Sequence, residues 1–268
     1  MNVTLSVVVV TYNRSSLLEG ALASVRAAAS HLPTEWEVEY LIADDCSDEP
    51  HKTAIDHLQG VRVVRPLLNS GLGANVNHAL ESSVGQYVLQ IQDDWVMEGG
   101  GPALETLIRF MMHEPDVGIV QLTDVAGDAG FSDRFFEGVK FRVFENDLAP
   151  WRRPCGVRPY SDCPHLKRRE FISDIGSYRE GCSMGETEND YKMRVANQSR
   201  WRVANPLGVT AWQHYGREVS LNPGGRQSRV SRVTGSLPGG TRYLLPWLRA
   251  VRSDLDHAAA MVARRLRG

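Results

Sequence analysis

Cysteine is scarce in this 268-residue sequence, and its positions show no common metal-binding or redox spacing. The four cysteines contain no C-x-x-C pair, so the sequence predicts neither a zinc ribbon nor a thioredoxin-like redox centre. They are Cys46, Cys155, Cys163 and Cys182. A zinc site formed by the last three with His165 stays open as an alternative, although its spacing matches no known zinc motif. We therefore expect reduced thiols, as in a cytoplasmic protein.

Long apolar runs are also missing. No stretch reaches the roughly 20 apolar residues that a membrane-spanning helix needs. The apolar run at residues 5–10 is short and β-branched, which predicts a strand and not a signal peptide. The hydrophobic content of 42% and the net charge of −2 are typical of a globular domain. We expect a cytoplasmic protein.

Glycine-rich phosphate-binding loops are absent where two classes of nucleotide enzyme need them. A dinucleotide-dependent oxidoreductase has G-x-G-x-x-G after its first strand. The nearest match here starts at Gly71, follows the third predicted strand and lacks the third small residue. A sugar-nucleotide pyrophosphorylase would show a Gly-rich loop with Arg and Lys after the first strand, and none is present. These absences argue against both classes.

What the sequence does contain is a regular alternation of strand and helix patterns. Short apolar strands are predicted at residues 5–10, 38–43, 61–64 and 87–92, with helical patterns between them. Such alternation is typical of a parallel sheet with right-handed crossovers. We predict an α/β fold with a Rossmann-like, mainly parallel sheet flanked by helices, followed by a C-terminal helical extension.

Polar residues gather where three of these strands end. The first strand is followed by Thr11, Tyr12, Asn13 and Arg14, the second by Asp44 and Asp45, and the fourth by Asp93 and Asp94. The carboxyl ends of parallel strands share one edge of the sheet, where open α/β sheets bind nucleotides. Two adjacent carboxylates repel each other, and a divalent cation would relieve that repulsion. The alternative is that the two aspartates only cap the next turn or helix.

The order and spacing of these motifs resemble family 2 glycosyltransferases of the GT-A fold, over about residues 3–215. The resemblance implies that Asp45 reads the base of a donor nucleotide, UDP above all, and that Asp94 binds Mn²⁺ or Mg²⁺. Gln92 stands where the family more often has a third acid. The implied donor-binding residues are Thr11, Tyr12, Asn13, Arg14, Asp45, Asn69, Gly71, Asn77 and Asp93.

A catalytic base is expected in the acidic segment at residues 183–194. Acids at a helix N-terminus and an i,i+4 pair between Asp190 and Arg194 would explain this segment without any catalytic role. The resemblance, however, implies an acid that deprotonates the acceptor hydroxyl and inversion at the anomeric carbon. Alignment on Asp190 and Arg194 assigns this role to Glu188, with Glu186 as the alternative if the register shifts by one step.

Four further residues complete the predicted site. His214 ends the last predicted strand, and the resemblance implies that it completes the metal site, whereas a structural His is the alternative. Trp95 follows the aspartate pair directly and is expected to contact the acceptor sugar. Arg168 and Arg169 are expected on the acceptor side, where guanidinium groups match phosphate oxygens; a solvated helix start would explain them equally well.

The chain divides into three predicted parts: a donor-binding half at 1–95, an acceptor-binding half at 96–216 and a basic extension at 217–268. The extension has ten arginines and three acids, a net charge of +7 against −9 for the rest. Its last predicted helix has one apolar face. That face could pack on the protein's own core, contact a second subunit or bind the anionic inner surface of the cell membrane. Nucleic acid is not expected as a partner, because the body is acidic.

The implied partners are a nucleotide-sugar donor and an acceptor that is a glycan, a lipid-linked saccharide or a small molecule. Two alternative functions stay open: a non-catalytic nucleotide- or carbohydrate-binding protein on the same fold, and a sugar-nucleotide pyrophosphorylase.

Overall fold

A computed structural model describes residues 3–98, 101–123, 131–144, 160–207 and 211–216. The predicted helical extension at 217–268 lies outside the described residues. Among the helices that are described, none combines the length and the apolar character needed to cross a membrane.

The described residues form strands and helices in alternation through the first half of the chain. The strands are β1 (Thr4–Thr11), β2 (Glu37–Asp44), β3 (Arg62–Val64), β4 (Tyr87–Gln92), β5 (Trp95–Glu98), β6 (Val117–Gln121), β7 (Phe131–Phe136), β8 (Val139–Phe144), β9 (His165–Arg168), β10 (Arg202–Pro206) and β11 (Ala211–His214). The helices are α1 (Ser15–Ala29), α2 (His51–Asp56), α3 (Gly71–Ser82), α4 (Gly101–His113), α5 (Arg169–Ile175) and α6 (Met184–Asn197). The α/β prediction is confirmed.

One large sheet of nine strands runs through the described residues in the order β3-β2-β1-β4-β9-β6-β10-β8-β7. Its first four strands are parallel, as predicted. Thr11 lies opposite Asp44, and Val10 lies opposite Gln92, so the carboxyl ends of β1, β2 and β4 stand at the same level. The residues that follow these strands therefore meet at one edge of the sheet.

Strand β9 runs against its two neighbours. It is antiparallel to both β4 and β6, with His165 opposite Gln90 and Arg168 opposite Tyr87. The chain therefore enters β9 at the carboxyl edge of β4 and leaves it at the amino edge. Beyond it, β6 and β10 are parallel, and β8 and β7 continue the sheet as an antiparallel hairpin. The parallel arrangement is thus strict in the first half of the sheet and mixed in the second.

The core forms because alternate residues of the central strands meet an apolar helix face. Val7 and Val9 of β1 are fully buried and belong to the same core cluster as Leu18 and Leu22 of α1. Complete burial of such a side chain contributes about 1.5–3 kcal/mol. A separate small sheet pairs β5 with β11, and it sets His214 opposite Trp95. Strand β5 thus begins, and strand β11 ends, beside the residues that follow β4.

Helix α3 packs closely on the segment before α6, and glycine permits this approach. A Cβ at Gly73 would overlap the backbone carbonyl of Arg179, whereas a Cβ at Gly185 in α6 would meet no atom within 4 Å. The position of the α3 N-terminus at the edge of the sheet therefore depends on Gly73.

The Gly73→Ala variant is expected to unfold more easily than the wild type, by about 1–3 kcal/mol, because the methyl group forces α3 away from a backbone that cannot yield. Urea unfolding measures the effect. Gly185→Ala is the matched control, and it should be neutral or stabilising by up to about 1 kcal/mol. Equal stability of Gly73→Ala and the wild type would contradict this account of the packing.

Candidate active site

The loops after β1 and β2 are tied to each other at the carboxyl edge of the sheet. Asn13 adopts a left-handed backbone conformation (φ 55°), which asparagine tolerates better than most residues. Its backbone N–H donates to Ser47 Oγ at 2.8 Å, and its side-chain Oδ1 accepts the Asp48 N–H at 2.7 Å. Tyr12 is half-buried in the same turn. The first loop is thus held in one position beside the second.

Arg14 makes ion pairs with both aspartates that follow β4, Asp93 and Asp94. Its Nη2 lies 2.6 Å from Asp93 Oδ1, and its Nη1 lies 2.8 Å from Asp94 Oδ2. The Nη2 contact is close but is not an aligned hydrogen bond. Asp93 also accepts a hydrogen bond at 2.6 Å from Thr11 Oγ1, and its side chain is fully buried. Burial raises the pKa of Asp93 to about 6, although Arg14 and the Thr11 hydroxyl act in the opposite direction.

Asp94 is the carboxylate best placed to bind a cation. Its Oδ2 lies 3.3 Å from His214 Nε2, and the His214 ring packs against Trp95 with 4.7 Å between centroids and a tilt of 31° between the ring planes. The Tyr215 N–H donates to the Asp94 carbonyl at 2.8 Å, and a Cβ at Gly216 would overlap the Asp94 carboxylate. The chain after β11 therefore passes directly over Asp94. The predicted neighbours Asp94, Trp95 and His214 do come together.

A divalent cation fits this donor set. Asp94 Oδ1 is buried and has no hydrogen-bond partner among the described residues, so it is available as a ligand. Carboxylate oxygen suits Mg²⁺ and Mn²⁺, and neutral imidazole is a common ligand of divalent metals in proteins. The described residues contain no group of three or more His, Cys, Asp and Glu side chains arranged for a metal. The protein would thus supply a partial ligand shell, and substrate phosphates and water would complete it.

Asp45 lies at the N-terminus of α3. Its two carboxylate oxygens accept the backbone N–H groups of Ser70 and Gly71 at 2.8 and 3.0 Å. Burial raises the pKa of Asp45, while these two hydrogen bonds act against that rise. Each oxygen retains a lone pair that can accept one further donor, such as the N–H of a base. Gly71 has a φ of +82°, which suits glycine, and Asn69 is exposed in the loop just before it.

The neighbouring Asp44 belongs to an ion-pair cluster that the sequence reading missed. Asp44 is fully buried, accepts a hydrogen bond from Ser47 Oγ at 2.5 Å and pairs with Arg65. Arg65 also pairs with Asp56 of α2 at 2.8 Å. The first aspartate of the Asp44–Asp45 motif is therefore held by the protein, and only the second faces the loop before α3. No pattern in the sequence marks Arg65 as its partner.

Glu188 lies on α6 beside residues that enter the sheet at its carboxyl edge. Its Oε1 accepts the Asp162 backbone N–H at 3.4 Å and forms an i,i+4 ion pair with Lys192 at 3.2 Å. Asp162 lies just before β9, whose first residue pairs with Gln90 near the end of β4. Glu188 thus lies at the same edge of the sheet as Asp94, the edge where β4 ends. Its side chain is 33% exposed, so an acceptor hydroxyl can reach it.

The alternative base, Glu186, has a structural role. Glu186 accepts hydrogen bonds from the backbone N–H and the hydroxyl of Ser183 at 2.9 and 2.7 Å, while its own N–H donates to Ser183 Oγ. This is a capping box that begins α6. Asp190 pairs with Arg194, which in turn donates to the carbonyls of Ile175 and Ser177. Of these three acids, Glu188 is therefore the one that caps no helix end and orients no arginine.

A buried hydrogen-bonded chain beneath Glu188 is the largest feature that sequence reasoning did not anticipate. Lys167 Nζ, fully buried, donates to Gln90 Oε1 at 2.8 Å and to the Tyr178 hydroxyl at 3.1 Å. The Tyr178 and Tyr160 hydroxyls lie 2.5 Å apart, and Tyr160 donates to Asp162 Oδ1 at 2.5 Å. We call these five residues the Lys167 chain. Nothing in the residue pattern around position 167 indicates it.

Burial dominates the protonation of this chain. Loss of solvent lowers the pKa of Lys167 to about 7, although nearby Asp162 acts against that shift. Burial likewise raises the pKa of Asp162 to about 6, with Glu188 adding to the rise. Both shifts favour the neutral form, as expected where few charges are available to compensate desolvation.

The stability contribution of Lys167 is expected to increase with pH. In the unfolded chain a lysine keeps its proton up to about pH 10.4, whereas folded Lys167 loses it above about pH 7. The unfolded state then binds more protons, so the free energy of unfolding rises with pH by up to about 1.4 kcal/mol per unit. Urea unfolding of the wild type and Lys167→Met at pH 7, 8 and 9 measures it. The free energy of unfolding of the wild type minus that of Lys167→Met should increase from pH 7 to pH 9. Equal pH dependence of the two proteins would contradict the assignment.

Two predicted contacts need correction. Arg168 and Arg169 lie at the amino edge of the sheet, because β9 runs antiparallel to β4. Arg168 donates to the carbonyls of Val117 and Glu114, and Arg169 donates to those of Gly85 and Leu80. An acceptor bound beside Asp94 would not meet them. Both arginines tie loops together at the far edge.

Asn77 is likewise occupied by the protein. Its side chain is buried, donates to the Tyr178 carbonyl and to Glu180, and accepts the Tyr178 N–H at 2.8 Å. These three bonds fix α3 to the segment before α6, and they leave the amide little capacity for a ribose or a diphosphate.

The alternative zinc site finds no support in the described residues. Cys163 and Cys182 are free thiols, and His165 is fully buried with its Nδ1 2.7 Å from the Cys163 carbonyl. Cys155, the remaining proposed ligand, lies outside the described residues.

Comparison with known proteins agrees with the fold and with the order of the motifs. The family model described as glycosyl transferase family 2 matches residues 6–176, which is more than half of the chain. No curated protein shows a significant match.

Several solved structures share the fold at low sequence identity. Residues 1–349 of S. aureus TarS superpose with a TM-score of 0.53 at 19% identity, covering 75% of this chain and 57% of that one. The same TarS fragment in complex with UDP-GlcNAc is 23% identical, with a TM-score of 0.53 and coverages of 75% and 55%. A mannosyltransferase from Pyrobaculum calidifontis in complex with GDP-Man and Mn²⁺ gives a TM-score of 0.54 at 17% identity, with coverages of 76% and 55%.

The chain spans little more than half the length of these structures, and at such identities they establish the fold alone. The match of the family model over residues 6–176 goes further, and it is joined by the strand-end motifs that meet at one edge of the sheet. The chain belongs to glycosyl transferase family 2.

Proposed function

We propose that this protein is an inverting glycosyltransferase that moves a sugar from a nucleoside diphosphate donor, UDP first among the candidates, to an acceptor hydroxyl. The observation that carries the proposal is the meeting of Asp45, Asp94 and His214 with the loop after β1 at the carboxyl edge of a parallel sheet. TarS binds UDP-GlcNAc, and the archaeal mannosyltransferase binds GDP-Man with Mn²⁺. These complexes support a nucleotide sugar as the donor.

In this proposal the donor lies across the ends of β1, β2 and β4. Asp45 accepts the N–H of the base with the lone pairs that Ser70 and Gly71 leave available. Asn13 and Tyr12 line the base and ribose, and the hydrogen bonds from Asn13 to the second loop hold their turn in place. Asp94 and His214 would hold a divalent ion, which, when bound, neutralises the negative charge that develops on the departing diphosphate.

Glu188 would act as the general base. Its carboxylate accepts the proton of the acceptor hydroxyl while the acceptor oxygen forms a bond to the anomeric carbon. The bond from that carbon to the diphosphate oxygen breaks on the opposite face, so the configuration inverts and nucleoside diphosphate leaves. The ion pair with Lys192 and the hydrogen bond from the Asp162 N–H hold the carboxylate in place. Trp95, whose ring packs against His214 at a tilt, would offer a ring face to the sugar.

Calorimetric titration with UDP, GDP, dTDP, CDP and ADP, with and without Mn²⁺, tests the proposal. We expect one nucleoside diphosphate to bind in a Mn²⁺-dependent manner. The matching sugar nucleotides should then release that diphosphate slowly in the presence of water alone, which needs no knowledge of the acceptor. Absence of binding by all five would refute the proposal and favour a binding protein with another ligand.

A further inference from the structure

The guanidinium of Arg14 occupies a position between the two aspartates at the end of β4. It contacts Asp93 through Nη2 at 2.6 Å and through Nε at 3.2 Å, and it contacts Asp94 Oδ2 through Nη1 at 2.8 Å. The side chain is only 19% exposed. Arg14 also caps the start of α1, where its carbonyl accepts the N–H groups of Leu17 and Leu18. The backbone that carries this charge is therefore held by a helix.

Arg14 uses the same oxygen that faces His214. Asp94 Oδ2 is 2.8 Å from Arg14 Nη1 and 3.3 Å from His214 Nε2, so any cation held by Asp94 and His214 comes close to a positive charge. A guanidinium stays protonated at any pH that a folded protein tolerates. Arg14 can therefore make room for another cation only by moving.

The charges at this site favour two ligands of opposite sign over either one alone. The formal charges of the two aspartates and Arg14 sum to −1, which disfavours a diphosphate. Addition of a divalent cation changes the sum to +1, which favours a diphosphate and disfavours a lone cation. Planar guanidinium donors also match phosphate oxygens in geometry. Arg14 is thus released from Asp94 most easily when a diphosphate is present, because its guanidinium can then bind the phosphate oxygens.

We propose that Arg14 is an internal counter-cation that competes with the divalent ion for Asp94, so that metal and nucleoside diphosphate bind as a coupled pair. The inference rests on the proposed function for the identity of the diphosphate, but not for the competition itself. It assigns Arg14 a positioning role that differs from simple donor contact. The wild-type protein should therefore bind Mn²⁺ weakly in the absence of any nucleotide.

The deciding measurement is titration with Mn²⁺ alone, followed by the electron paramagnetic resonance signal of the free ion. Arg14→Gln should bind Mn²⁺ at least about tenfold more tightly than the wild type, within the range typical of coupling between sites. Arg65→Gln is the matched control. Arg65 is similarly shielded (17% exposed) and also pairs with an aspartate at a strand end, but it touches neither Asp93 nor Asp94. Its removal should leave the Mn²⁺ affinity within about twofold of the wild type.

An affinity of Arg14→Gln within twofold of the wild type would overturn the inference, as would an equal gain in Arg65→Gln. If Arg14→Gln does not fold, Arg14→Lys decides. It keeps the charge but loses the fork that spans both carboxylates, so a gain of at least about threefold is expected, and no gain overturns the inference. A gain that disappears in the double variant Arg14→Gln, Asp94→Asn locates the ion at Asp94. Gain of Mn²⁺ binding without release of diphosphate from any sugar nucleotide would refute the proposed function alone.

Discussion

The Glu188→Gln variant is expected to release nucleoside diphosphate from its sugar nucleotide about 10²–10⁴ times more slowly than the wild type, because an amide cannot accept the proton of the attacking water or acceptor hydroxyl. Affinity for the nucleoside diphosphate should stay within about twofold, since Glu188 lies on α6 and not among the strand ends that would hold the nucleotide. Release of diphosphate by each variant, with calorimetry of the diphosphate alone, measures both quantities.

Two variants on the same helix serve as controls. Glu186→Gln removes the charge of a residue that closes a capping box, and Asp190→Asn removes the partner of Arg194. Both should lose some helix stability and keep their turnover, after correction for the folded fraction. If Glu186→Gln lost turnover and Glu188→Gln did not, the base would be Glu186, two residues before our assignment on the same helix.

The Asp94→Asn variant is expected to lose the effect of Mn²⁺. The Oδ1 atom of Asp94 is buried and has no hydrogen-bond partner among the described residues, and asparagine has the same shape as aspartate but no charge. Electrostatic assistance from a metal amounts to several kcal/mol, so turnover should fall by about 10²–10³-fold. Binding of the diphosphate should no longer differ between samples with and without Mn²⁺.

Asp56→Asn is the comparison for this change. Asp56 lies on the exposed surface of α2, where it pairs with Arg65. It touches none of the residues around Asp94. Its response to Mn²⁺ should match that of the wild type. Retention of the Mn²⁺ response in Asp94→Asn would show that the ion binds elsewhere and would remove the basis for assigning His214 as a ligand.

The sequence allowed the polar edge of the sheet to be predicted, because a motif at the end of a strand is a local feature of the chain. A strand that ends in a polar residue displays that residue at the edge, and parallel strands bring their ends together without further information. Thr11, Asp45 and Asp94 therefore lie where their positions in the chain indicated. His214 also lies beside Asp94, although it is more than a hundred residues away in sequence; there the family resemblance supplied what periodicity could not.

The errors come from contacts that depend on strand direction and on distant partners. The four residues of β9 do not reveal whether the strand runs parallel or antiparallel to its neighbours, and its antiparallel course carries Arg168 and Arg169 to the far edge. Asn77 finds its partner 101 residues later, at Tyr178. The Lys167 chain joins three separate segments, and no spacing rule connects them.

The Lys167 chain also constrains how this protein can diverge. Each of its five members donates to or accepts from another inside the core, so the loss of any one leaves a buried polar group without its partner, at a cost of about 1–3 kcal/mol. Single substitutions are therefore selected against, whereas joint replacement by apolar residues of similar volume is tolerated. Among descendants of this sequence, Gln90, Tyr160, Asp162, Lys167 and Tyr178 should be inherited together or exchanged together, as a correlated block that spans the two halves of the sheet.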